Sequence, residues 1–245
     1  MRDAERVVLT VMGLWPDGRR QILDYQVAPV EDSASWTQFF AARIQRGLAP
    51  ERIHLVVSDS GTGLPPAIAN CFPQAQMQRC VVHKVRGLER ALVYHGLERR
   101  GLERALVYHG LERRGPDGKG LTAEEARRAR RQHVSDAAHA IFEAPMRAEA
   151  QNLWRTFQAE WSAREPEAVR CLGLDFDNCL NFYAFDRSMH ALIRSTNLLE
   201  RFFREFRTKA DEIGAFPNAL SCLTVFHLIV VRDHAKHDRG AVAKT

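Results

Sequence analysis

No apolar stretch in these 245 residues reaches the roughly 18 needed to cross a bilayer. The opening, MRDAERVV, lacks the basic-then-apolar layout of a secretory signal, so the expected location is the cytoplasm, with no membrane partner. Cysteine is sparse: Cys71, Cys80, Cys171, Cys179 and Cys222 are odd in number and contain no Cys-x-x-Cys pair. That argues against a disulfide framework and for reduced, partly buried thiols. Lysine is scarce among the 35 basic residues, which are overwhelmingly arginine. Arginine suits bidentate phosphate contacts, and a net charge of +5 with a pI near 9.1 is compatible with a polyanionic partner. A GC-rich genome produces the same arginine bias, so charge by itself leaves both readings open.

What is present is a 45% hydrophobic chain, enough for one large globular domain or one domain with an insertion. Residues 6–14 and 20–28 read as two strands joined by the turn Trp15-Pro16-Asp17-Gly18. Glu31-Asp32-Ser33 opens an amphipathic helix whose apolar positions are Trp36, Phe39, Phe40, Ile44 and Leu48. Residues 53–58 predict a strand, Pro65 to Cys71 a short helix, and 75–82 a further strand leading into His83. The alternation is that of an α/β domain.

From about residue 84 to 165 the pattern is helical only. GLERALVYHGLERR occupies 87–100 and again 101–114. Exact identity over so few copies is a duplication in the DNA rather than a solenoid, whose repeats drift and number three or more. A loop at 116–120 precedes Thr122 and Glu125, spaced as a capping box, and the EEARRARRQH run that follows reads as a solvated helical face. Residues 146–164 form a helix with the stripe Leu153, Trp154, Phe157 and Trp161, read as core packing. Ser195 or Thr196 caps a helix to about Thr208, with Leu199, Phe202, Phe203 and Phe206 as its buried stripe. Gly214 ends that segment, and Pro217 precedes a final apolar helix.

Three features carry candidate chemistry. Asp59 ends the apolar run Leu55-Val56-Val57, where open α/β sheets place their sites; the alternatives are an Asx-turn or a cap for the Pro65 helix. Glu200 lies beside an apolar stripe with Arg204 at i+4, a spacing that equally describes a surface ion pair. Cys80 and His83 form Cys-x-x-His, which holds zinc only with two more ligands from Cys171, Cys179 or His190; otherwise they are a thiol beside a hydrogen-bonded imidazole.

In order, the segments VVSDSGTGLPPAI, CFPQAQMQRCVVHKVR, RSTNLLERFFREFR and IGAFPNAL resemble the Mutator-type transposases of bacterial insertion sequences. The resemblance spans nearly all of residues 6–230 outside the repeat. It implies an α/β fold with an RNase H-like core, in residues 1–84 and 186–245, interrupted by an all-helical insertion at 85–185. It implies that Asp59 is the second and Glu200 the last acid of an Asp-Asp-Glu triad. Cys80, His83 and Asn197 match motif positions, and Arg201, Arg204 and Arg207 are placed to meet DNA phosphates. It implies two Mg²⁺ ions, transposon-end and target DNA as partners, and a homo-oligomer in an intact member. Carboxylate oxygens suit Mg²⁺, and two such ions about 4 Å apart would activate the attacking oxygen and stabilise the leaving one.

The family's first Asp lies on a strand upstream of the hairpin, and Asp3 and Glu5 do not replace it. The expectation is therefore a core lacking its first strand, in an N-terminally truncated transposase. Its activity is DNA cleavage and strand transfer, or it is a non-catalytic remnant that binds DNA or intact transposase.

Overall fold

The computed structural model describes residues 7–59, 61–92 and 123–242. Most of the tandem repeat, the 116–120 loop, the Thr122 cap, and Asp3 and Glu5 lie outside the described residues. The chain divides into two compact units, one of residues 1–78 with 185–245, the other of residues 79–184.

In the first unit, β1 (Val7–Leu14) and β2 (Arg20–Ala28) pair antiparallel across the expected turn. Gly18 takes φ +81 there, a conformation a side chain would strain. Strand periodicity gives the hairpin two apolar faces. Leu9 and Ala28, with Val7 and Val11, pack against Trp36, Phe39 and Phe40 of α1 (Ser33–Gln45) and Ala67 and Ile68 of α2 (Leu64–Cys71). Ile22, with Val8, Met12 and Tyr25, packs on the other side against Phe202 of the later helix Asn197–Ile213 and Phe226 of the helix Ala219–Val242.

A strict alternation would put Ile22 and Asp24 on the same face. The register instead skips Leu23, because Val11 pairs with Asp24 and Met12 with Ile22. That β-bulge turns Ile22 to one core and leaves Asp24 to the α1 side. There Arg43 donates to Asp24 at 2.9 Å and to Gln26 at 2.9 Å, and Arg46 donates to Asp24 at 2.7 Å. Gly13 makes room for the bulge, since a Cβ on it would lie 3.0 Å from three carbons of Leu23.

β3 (Leu55–Ser58) pairs with β4 (Gln76–Arg79), so the described strands make two separate two-stranded sheets in a mixed α/β fold. The strand expected over 75–82 is shorter than predicted. After Cys80 the chain turns into α3 (Val81–Ala91), which carries His83 in its first turn. Buried Val81, Val85 and Leu88 recur at helical spacing, and that longer pattern overrides the β-branched pair Val81-Val82.

The second unit is helical beyond the end of β4. It contains α3, α4 (Ala123–Glu143), α5 (Arg147–Trp161) and α6 (Pro166–Gly173), followed by 3₁₀ turns at Phe176–Cys179 and Asn181–Ala184. Val85, Leu88, Val134, Ile141, Phe142 and Leu172 are buried in it. The α5 stripe behaves unevenly: Phe157 and Trp161 are buried, whereas Leu153 and Trp154 stay half-exposed. Back in the first unit, α7 (His190–Ile193) precedes α8 (Asn197–Ile213) and α9 (Ala219–Val242). The α8 helix runs five residues past the expected end and stops at Gly214, with φ +86. Among the described residues, no helix is long and apolar enough to cross a membrane.

Candidate functional site

Asp59 follows β3, whose last residue, Ser58, is buried with a hydroxyl that has no hydrogen-bond partner among the described residues. Asp59 itself is exposed, and its Oδ1 accepts from the Gly61 N–H at 3.3 Å. That is an Asx-type turn. Asp59 does not cap α2, whose N-cap is Gly63 and carries no side-chain cap bond.

The path of this loop depends on Gly63. A Cβ there would lie 2.7 Å from the Asp32 carbonyl carbon, 2.8 Å from its Cα and 2.9 Å from the Ser33 nitrogen. The loop therefore runs directly over the start of α1, where Asp32 accepts the Ser35 N–H at 2.8 Å. That bond holds the Asp32 carboxyl below its ordinary pKa. Two carboxylates face the Gly61 position. A Cβ on Gly61 would sit 3.6 Å from Asp59 Oδ1 and 3.5 Å from Glu31 Oε1, and Glu31 Oε1 accepts the Trp36 indole N–H at 3.3 Å. In the sequence Glu31 reads only as part of a helix start. Twenty-eight positions from Asp59, it carried no local signal of its neighbour. Among the described residues, Asp59 joins no set of three metal-ligating side chains with their ligand atoms within 4.8 Å of one another.

Glu200 occupies the first turn of α8 in the same unit and is half-buried. Its Oε1 accepts the Thr196 hydroxyl at 2.8 Å, and a carboxylate in that turn is favoured by the helix dipole. The stripe Leu199, Phe202, Phe203 and Phe206 packs inward as the spacing predicts. Arg201, Arg204 and Arg207 are all exposed. Arg207 donates through Nε to the Phe203 carbonyl at 3.4 Å. Asn197 is exposed at the helix start, and its N–H lies 3.5 Å from Ser195 Oγ.

In the second unit, Cys80 is buried and its Sγ lies 3.2 Å from Nδ1 of half-buried His83, one helical turn on. This is the thiol–imidazole arrangement of the sequence alternatives. Cys171 and Cys179 join no group of three ligands among the described residues, and all five cysteines are free thiols. Lys84 is buried and donates to the Leu174 carbonyl; burial pushes its pKa down. Burial pushes the Cys179 thiol up to about 12, against the opposing pull of Lys84 and Arg79.

With this geometry in place, comparison with known proteins gives a consistent result. The family model described as "Transposase, Mutator family" matches residues 1–98 and 121–240. The "Transposase for insertion sequence element ISRM5" of Rhizobium meliloti (strain 1021) is 29% identical over 230 residues, 94% of this chain and 48% of that protein. The "Transposase for insertion sequence element IS1081" of Mycobacterium tuberculosis (strain ATCC 25618 / H37Rv) is 29% identical over 244 residues, 98% of this chain and 50% of that protein. The "Transposase for insertion sequence element IS1201" of Lactobacillus helveticus is 25% identical over 214 residues, 87% and 48%. The chain spans about half the length of these relatives.

Proposed function

Since the chain belongs to the Mutator family of transposases, we propose that it carries part of the DNA-cleaving and strand-transferring core of an insertion-sequence transposase. Asp59 and Glu200 are the second and last acids of an Asp-Asp-Glu set on an RNase H-like core. The observation that carries this reading is the exposed Asp59 at the carboxyl end of β3, held by an Asx turn, in the unit that also presents Glu200 from α8.

By donor chemistry the two carboxylates suit a hard divalent cation. Asp59 and Glu200 offer only oxygen donors, the preference of Mg²⁺. When bound, such ions would activate the attacking oxygen and stabilise the leaving 3′-oxygen. The chain's own contribution is to hold the two carboxylates and bind the strand. The Asx turn fixes one Asp59 oxygen, the Thr196 hydroxyl orients Glu200, and Arg201, Arg204 and Arg207 neutralise phosphates beside it. In this reading Asn197 starts the helix that carries Glu200, and Cys80 and His83 are structural motif residues.

A second reading, a non-catalytic chain that binds DNA or an intact transposase, draws on the two separate two-stranded sheets. Among the described residues each sheet has only two strands, and edge strands are surfaces through which one chain can associate with another. The test is incubation of the purified chain with transposon-end DNA and Mg²⁺, beside Asp59→Ala and Glu200→Gln. Cleaved or joined DNA that both substitutions abolish is the expected result. DNA binding or co-purification with an intact transposase, with no product, would instead select the second reading.

A further inference from the structure

We propose that the second unit binds an unpaired nucleobase in a cleft between α5 and the turn that follows α6. The cleft is an open one of about 520 Å³, within the roughly 300–1,000 Å³ of small-ligand pockets. Trp154, Phe176, Gln151, Gln158, Asn178 and Asp175 line it. The proposal rests on the reading of the chain as a DNA-handling protein, which supplies the base.

The aromatic wall is built rather than incidental. Trp154 stacks on Phe176 with ring centroids 4.8 Å apart and planes 24° apart, and on Phe157 at 5.9 Å and 21°. Gly173 clears its edge: a Cβ there would meet Trp154 Cζ2 at 3.2 Å. Trp154 is half-buried with part of its ring open to the cleft, whereas Phe157 and Phe176 are buried behind it. A flat π surface of this kind takes any base face.

The polar wall supplies edge recognition. Gln151, Gln158 and Asn178 are half-buried, and their side-chain amides make no hydrogen bond among the described residues. Each amide offers both donors and an acceptor, the complement of a base edge. Asp175 adds a carboxylate acceptor at the rim and holds a left-handed backbone, φ 55 and ψ 28, where non-glycine residues are uncommon. A carboxylate beside aromatic and amide groups favours a base rich in N–H donors, such as guanine. Arg155, exposed at the mouth, is placed for the nucleotide's phosphate. Unpaired bases are the form such pockets read, because a base within a duplex hides its faces and edges.

The experiment titrates 2′-deoxyguanosine 5′-monophosphate into the whole ¹⁵N-labelled chain, observing the Trp154 indole N–H and the glutamine side-chain amides. Saturable shifts at these groups are expected with the nucleotide, and none with 2-deoxyribose 5-phosphate. Gln158→Ala removes a side chain with no hydrogen-bond partner among the described residues and should weaken binding about tenfold while leaving the fold's spectrum unchanged. Silent Trp154 and amide signals, equal shifts with the sugar phosphate, or wild-type affinity in Gln158→Ala would each overturn the proposal. DNA cleavage is read separately. Cleavage with a silent cleft defeats the pocket alone, and base binding without cleavage defeats the catalytic reading alone.

Discussion

Replacing Gly63 by Ala tests how the Asp59 loop is positioned. Gly63 has φ −77 and ψ −29, which alanine adopts without strain. By backbone entropy alone the change should stabilise the protein by about 0.4–1 kcal/mol. The surroundings reverse that sign. The new Cβ would lie 2.7–2.9 Å from three backbone atoms of Asp32 and Ser33, and none of them is a side chain that can rotate away. Restoring an ordinary contact of 3.4 Å moves the loop or the start of α1 by about 0.7 Å. Buried Trp36, Phe39 and Phe40 anchor α1 in the core, so overpacking costs about 1–3 kcal/mol. Gly61→Ala is the control, because its Cβ meets only side-chain oxygens at 3.5 and 3.6 Å. In urea unfolding followed by circular dichroism, Gly63→Ala should lower the midpoint at unchanged m-value, with Gly61→Ala near wild type. A Gly63→Ala protein as stable as wild type, or more so, would refute the close approach of the Asp59 loop to the start of α1.

Phe226 is fully buried against Tyr25, Phe202 and Phe206 at ring-centroid distances of 4.7, 5.3 and 5.1 Å. Phe226→Ala should therefore cost about 3–5 kcal/mol and Phe226→Leu much less, compared by thermal unfolding; equal melting temperatures for the two would contradict this packing. Cys179 links stability to alkaline pH. Its folded pKa is raised from 9.0 to about 12, so its contribution is whole below pH 9 and is lost as pH rises from there toward 12. The slope approaches about 1.4 kcal/mol per pH unit. The stability difference between wild type and Cys179→Ala should shrink as pH rises through that range, and a constant difference would show that the thiol is not shielded from water.

Much of the fold was legible because it rests on local periodicity. The hairpin, α1 with Trp36, Phe39 and Phe40, and the α8 stripe of Leu199, Phe202, Phe203 and Phe206 all follow from which side chains share a face. The ordered motifs around Asp59, Cys80 and Glu200 were enough to identify the family. Less legible were features in which two local rules competed. Val81-Val82 favours a strand locally, but the apolar spacing of residues 81–88 extends over two turns and makes a helix. The skipped register at Leu23 leaves no mark in a sequence whose alternation is already rough.

By itself, the sequence determined most of the helical and extended segments, their apolar faces and the family, since each of these is carried by short stretches of residues. Only the tertiary structure decided that Glu31 and Asp59 both face the Gly61 position, that the described strands form two sheets, and that Trp154 opens onto a cleft instead of disappearing into a core. Those outcomes depend on volumes meeting across long stretches of chain, such as the missing Cβ of Gly63 against Asp32 or that of Gly173 against Trp154, and no local pattern encodes which surfaces will meet.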